Sequence, residues 1–272
     1  MRVLTIFACA AVSTSLVGCL PPDENEEPVT AAEARQALDE AAVATEAASL
    51  MGSTIEIGTS FTIGGAVEAA AAELEDFVHS QLPCADIALE QNTLAITYGA
   101  LEGSCTYQGH TYSGTHAITV SSNDEAQVIV EHVWTDLSNG NVTVSGDAMV
   151  TWTLQDELSR HVVHELTWTR LSDGLTGTGT GDRLQRGLNG DVAQGLAIDG
   201  ARTWTGNAGN WDLTIDGVEL RWIDPVPQAG IYKLTTPDQK QMSLSFERKD
   251  EDTVTVTVAS GDHSFDFDVT SF

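Results

Sequence analysis

At Cys84 the spacing of apolar residues changes from about 3.6 to about 2, and this change restricts the fold more than any other feature of the chain. Beyond it, Leu94, Ile96 and Tyr98 alternate with Ala95 and Thr97, and Ala148, Val150, Trp152 and Leu154 alternate with Met149, Thr151 and Thr153. Met242, Leu244 and Phe246, then Val254, Val256 and Val258, then Phe265, Phe267 and Val269 repeat the pattern. Successive side chains of a strand point to opposite faces, so each run has one apolar face and one face of Thr, Ser and acid. An antiparallel sheet with a dry side and a wet side reads this way, whereas a parallel sheet covered on both faces gives unbroken apolar runs.

The turn chemistry agrees. Ser138-Asn139-Gly140, Ser172-Asp173-Gly174, Leu188-Asn189-Gly190-Asp191 and Ile215-Asp216-Gly217 each supply residues tolerant of positive φ. The last predicts a tight hairpin between Trp211–Thr214 and Val218–Trp222. An internal repeat matches Glu131, Trp134, Leu137 and Gly140 with Glu165, Trp168, Leu171 and Gly174, and Ser113-Gly114 with Ser145-Gly146. The repeat length of about 33 residues suits one up-and-down pair of long strands; helical repeats of that length are excluded by the internal period of 2.

Before Cys84 the pattern is helical. Thr30-Ala31-Ala32-Glu33 is a capping box, and the alanine-rich run after it has no Gly or Pro before Gly52, which is expected to end the helix. Leu38, Ala41, Ala42, Thr45 and Ala48 are read as its apolar side. A second helix is signalled from Gly65 to Pro83 by Val67, Ala70, Ala71, Leu74, Phe77 and Val78. Ser53 to Gly64 reads as a loop or a short strand. The fold expected is mainly β: a long-stranded antiparallel meander, curled or two-layered, with two N-terminal α-helices packed against it.

The extreme N-terminus carries Arg2, an apolar run from Val3 to Val12, and then Leu16-Val17-Gly18-Cys19. The run is too short to span a bilayer, and its parts are those of a secretory signal. The tetrapeptide resembles the lipobox of bacterial lipoproteins. That resemblance implies cleavage before Cys19, a diacylglycerol on its sulfur and acylation of its amine, and several buried chains anchor stably where one does not. Leu20 after the cysteine implies delivery to the cell outer membrane. The expected organisation is a signal peptide at 1–18, a lipidated acidic tether at 19–29, a helical segment at 30–83 and the β domain at 84–272.

Forty Asp and Glu against 12 Lys and Arg give a formal charge of −28. Such a surface repels nucleic acid and anionic headgroups, which leaves the N-terminal lipid as the membrane contact, and an envelope protein or an apolar ligand as partner. Of the four cysteines, Cys9 leaves with the signal and Cys19 takes lipid. In an oxidising compartment the remaining Cys84 and Cys105 read as a disulfide, contributing roughly 3 kcal/mol.

Residues suggestive of chemistry are few. His161-Val162-Val163-His164-Glu165 is a histidine and acid cluster, but His161 and His164 fall on opposite strand faces, and His164 is in line with Val162, Leu166 and Trp168. Gly177-Thr178-Gly179-Thr180-Gly181-Asp182 resembles one calcium-binding nonapeptide repeat, an architecture that needs stacked copies, and so reads as a flexible strand or bulge. Gly103-Ser104-Cys105 lacks the glycine pattern of a nucleophile elbow. Asp266 and Asp268 lie on a wet face. Trp134, Trp152, Trp168, Trp204, Trp211 and Trp222 read as core, or as the lining of a cavity for an apolar ligand. No cofactor or metal is called for. The expected role is a non-enzymatic structural or binding component of the cell envelope. The alternatives are a lipid or lipoprotein carrier with a half-barrel cavity, an architecture resembling the Lol-type carriers, and an envelope hydrolase or metal-dependent enzyme.

Overall fold

The computed structural model describes residues 29–107, 110–155, 158–221 and 226–270. Cys19, the lipobox and Trp222 lie outside the described residues. Two helices come first, α1 (Ala31–Ile57) and α2 (Val67–Gln81). The capping box forms at α1: Thr30 N–H donates to Glu33 Oε2 at 2.7 Å, and Glu33 N–H donates to Thr30 Oγ1 at 3.3 Å. Neither helix among the described residues is long and apolar enough to cross a membrane.

Strands follow: β1 (Asp86–Glu90), β2 (Thr93–Tyr98), β3 (Thr106–Tyr107), β4 (His110–Thr111), β5 (Ser113–Asn123), β6 (Gln127–Ser138), β7 (Val142–Thr153) and β8 (Ser159–Arg170). The meander continues through β9 (Thr176–Leu188), β10 (Asp191–Gly206), β11 (Gly209–Leu220), β12 (Ala229–Thr235), β13 (Gln241–Arg248), β14 (Thr253–Ser260) and β15 (His263–Thr270). Thirteen of them make one antiparallel sheet in chain order, and β3 and β4 pair separately. The protein is mainly β, as the alternating runs require. One apolar cluster joins Leu50, Met51, Ile55, Leu74 and Val78 of the helices to Ile118, Val130, Val150, Leu213 and Val258 of the strands.

The repeated segments lie on β6 and β8, separated by β7. Gly114 and Gly146 lie where β6 bulges, against β5 and against β7 respectively, and both are closely approached: a Cβ at Gly114 would lie 2.2 Å from the Asp136 carbonyl oxygen, and one at Gly146 would lie 2.1 Å from that of Glu165 on β8. Asn189 and Gly190, both at positive φ, form the tight turn between β9 and β10.

Three expectations are corrected. Gly52 does not end α1, which runs to Ile57 with Gly58 as cap, so Ser53–Ile57 is helix rather than loop or strand. A glycine inside a helix costs only about 1 kcal/mol, and burial of Met51, Ile55 and Ile57 outweighs it. Of the expected apolar side of α1, Ala48 is buried and Ala41 half-buried against the core, but Ala42 and Thr45 are exposed, and the side chain of Leu38 lies outside the described ones; Ala37, Ala44, Ala47, Met51 and Ile55 are buried as well. An alanine-rich helix has little contrast between its faces, and tertiary contacts choose among them. Finally, Asp216-Gly217 is no hairpin turn. β11 continues through it, and the residues between Asp216 and Glu219 bulge against β12. A glycine at φ +54° suits a bulge as well as a turn, and pairing with β10 and β12 that resumes on both sides of Asp216-Gly217 selects the bulge. The turn lies earlier, where Gly206 pairs with Gly209.

Candidate functional site

The dry faces of β8, β9 and β10 bring together the most unusual group of side chains. Cross-strand pairing sets Arg160 beside Gln185, Val162 beside Arg183, and His164 beside Gly181; on the other flank of β9, Gly181 pairs with Arg202 and Gly179 with Trp204. The alternating glycines of β9 make this crowding feasible. A Cβ on Gly177 would sit 2.5 Å from the Trp168 ring, and one on Gly181 would sit 2.2 Å from His164 Cε1. Gly177-Thr178-Gly179-Thr180-Gly181 is therefore a strand with rings laid across its bare side.

Three guanidiniums enter this interior. Arg160 bonds Glu56 of α1 and the side chain of Gln185. Arg202 reaches α1 at the Ala44 carbonyl (3.5 Å) and Thr45 Oγ1 (3.3 Å). The side chain of Arg183, a residue 8% exposed, donates no hydrogen bond to any described residue, and neither it nor that of Arg202, 7% exposed, has a carboxylate partner among them. Nε of Arg183, Nε of Arg202 and Nδ1 of His164 are buried without a hydrogen bond. Burial, then the charges of Arg202 and Arg160, push Arg183 down to about 9, which leaves it protonated at neutral pH. Burial also lowers Arg202, and burial followed by the Arg183 and Arg202 charges lowers His164 to about 3. Burial raises the Tyr232 phenol against a smaller opposing pull from Arg202 and Arg183. A buried ion without a partner costs several kcal/mol, so two such cations in a chain of charge −28 stand out.

A second buried network lies below the C-terminal end of α1. Tyr98 Oη and His116 Nδ1 are 3.3 Å apart, and His116 Nε2 and His132 Nδ1 are 2.9 Å apart. His116, His132 and Trp134 stack, with centroids 5.2 to 5.6 Å apart, and Trp134 Nε1 donates to Thr54 Oγ1 at 3.0 Å. Burial holds both histidines well below their ordinary range, His132 at about 3, so the pair is neutral and one ring N–H donates to the other ring. Its bonds close mainly within the protein, which marks it as the lesser candidate.

His161 and His164 are on opposite faces, as the strand pitch requires: His161 faces outward and bonds Asp182, while His164 is buried. Asp266 and Asp268 accept from Thr257 and Thr255 on the wet face, and Asp268 also pairs with Lys249. Cys84 and Cys105 are disulfide-bonded, with Cα atoms 5.3 Å apart. Trp134, Trp168, Trp204 and Trp211 are buried, and Trp204 stacks on Trp211. Among the described residues no three His, Cys, Asp or Glu side chains are grouped to hold a metal ion.

The residues missed by sequence reading are Arg160, Arg183 and Arg202, with His116 and His132. A signal existed: Arg160 shares strand parity with Val162 and His164, and Arg202 with Trp204, which places arginines on dry faces. No family model, no curated protein and no solved structure matches this chain.

Proposed function

We propose that this chain is a non-enzymatic binding component of the cell envelope, held at the outer membrane by lipid on Cys19, whose sheet curls around α1 and encloses a polar binding site. The leader residues Leu16-Val17-Gly18-Cys19 support the anchor. The curl is supported by α1 itself. At 100° per residue, its buried positions, from Val43 and Ile57 on one flank to Ala34 and Ala48 on the other, cover an arc of roughly 200°. A helix lying on a flat surface buries a stripe nearer 100° wide. Bonds to α1 come from both sides of β8, from Trp134 on β6 and from Arg202 on β10, and strand twist accumulating over 13 strands favours the same curvature.

The observation that carries the binding role is the pair of buried guanidiniums, Arg183 and Arg202, which have no carboxylate partner among the described residues. A buried cation without a partner costs several kcal/mol, and a bound anion would offset that cost. Growth with radiolabelled palmitate tests the anchor: label enters the wild-type chain and is lost from Cys19→Ala. Unlabelled wild-type protein, or a mature form beginning elsewhere, overturns it. Native mass spectrometry of the gently purified protein tests the binding role, with a bound small molecule expected and a bare polypeptide mass as the contrary result.

A further inference from the structure

The side chains around β9 narrow the chemical class of ligand that such a site can take. Arg183, Arg202 and His164 present nitrogen atoms that have no acceptor among the described residues, and all three residues are more than nine-tenths buried. Arginine is a donor only, with no acceptor atom, so its open Nε can be satisfied solely by an acceptor such as oxygen. His164 Nδ1 can join as a donor in one tautomer. Of the α1 carboxylates, Glu56 is taken by Arg160, Asp39 by Arg170 at 2.8 Å and Glu33 by Lys240 at 2.7 Å, while Glu40 is buried against Gly206 of β10, and neither it nor Glu46 bonds Arg183 or Arg202. The deficit is therefore one of negative charge and of oxygen acceptors together, at one place on the sheet. Near it the dry face is apolar, through Val162, Ile198 and Ile215.

We infer that Arg183 and Arg202 form a binding site for an oxyanion, a carboxylate or phosphate group that enters the interior beside β9 and is held by the two guanidiniums. Charge-assisted bonds from arginine to such groups are among the strongest hydrogen bonds in proteins, and planar forks of donors match both anions. Because α1 touches Arg202 through Ala44 and Thr45, a bound anion also stiffens the seat of the helix. The inference rests on the binding role proposed above but not on the lipid anchor.

The test uses the full chain, wild type and Arg183→Met, with thermal unfolding followed at low salt. Two anionic probes are compared, inorganic phosphate and sodium decanoate, and decanol serves as the uncharged counterpart of the second. A ligand that binds only the native state raises the melting temperature with concentration, by several degrees at about a hundred times its dissociation constant. The expected result is a saturable rise in wild type that is absent from Arg183→Met. A response to phosphate and decanoate alike identifies a small free anion, and a response to decanoate alone identifies the headgroup of an apolar molecule. Arg202→Met serves as the second variant. In the absence of anion each variant is at least as stable as wild type, because it removes an unpaired buried charge. The inference is overturned if wild type responds to neither anion, if decanol shifts it as far as decanoate, or if both variants keep the wild-type response. Those outcomes leave palmitate labelling untouched, and a failure of labelling leaves this site untouched.

Discussion

At the residue scale, the bare side of β9 shows how missing atoms shape the interior. Gly177, Gly179 and Gly181 lie against Trp168, Trp204 and His164, with no room for a methyl group. Glycine within a strand ordinarily weakens it, so replacement by alanine would gain stability if space allowed. Here the sign reverses: Gly177→Ala is expected to lose about 1–3 kcal/mol by overpacking against the Trp168 ring, read as a lower urea midpoint. His164 gives a pH test. Its ionisation is depressed to about 3 from an ordinary 6.5, so its neutral form contributes fully above pH 6.5 and that contribution falls away as the pH drops toward 3. Between pH 7 and pH 5 wild type should therefore lose about 2 kcal/mol more than His164→Leu in urea unfolding, at 1.36 kcal/mol per unit. Equal losses in both proteins would contradict a buried neutral imidazole. Strand parity made the inward direction of His164 readable in advance. The unsatisfied guanidiniums were not readable, because their state depends on which residues of α1 arrive opposite them.

At the scale of elements, alternation revealed the strands clearly, while the positions of turns and helix ends were less legible. Asn139-Gly140 and Asn189-Gly190 are hairpin turns, but Asp216-Gly217 is a bulge, since the same positive φ serves both and only the neighbouring strands decide. The end of α1 was likewise hidden, because local propensity at Gly52 yields to burial of the following turn. The difference between an open turn glycine and a crowded strand glycine can be measured. A Cβ at Gly140 meets nothing within 4 Å, so Gly140→Ala pays only for its left-handed backbone, about 1 kcal/mol. At Gly146 the same atom would lie 2.1 Å from the Glu165 carbonyl oxygen, so Gly146→Ala must also part β7 from β8. Its cost is expected to exceed that of Gly140→Ala by about 2 kcal/mol or more, with similar values for the two contradicting the close approach of β8 to Gly146.

At the scale of the whole molecule, charge governs behaviour in solution. A formal charge of −28 on 272 residues makes the surface repel itself, and ion pairs such as Lys233–Asp216 and Lys249–Asp268 offset little of it because they are exposed. Raising sodium chloride from about 0.01 M to about 0.15 M shortens the screening length from about 30 Å to about 8 Å, so the melting temperature should rise over that range. A fall would mean that attractive pairs outweigh the repulsion. The acidic surface and the mainly β class were both apparent from the amino acids alone, whereas the cationic interior emerges only when strands far apart in the chain are laid side by side. The Cys84–Cys105 bridge has a consequence at this scale too. It closes the chain around β1 and β2, so this margin of the sheet is riveted and cannot trade places with the same hairpin of a second copy. Among the described residues β15 pairs with β14 alone, so strand exchange between molecules is left to the C-terminal margin, where Asp266 and Asp268 set like charge against like.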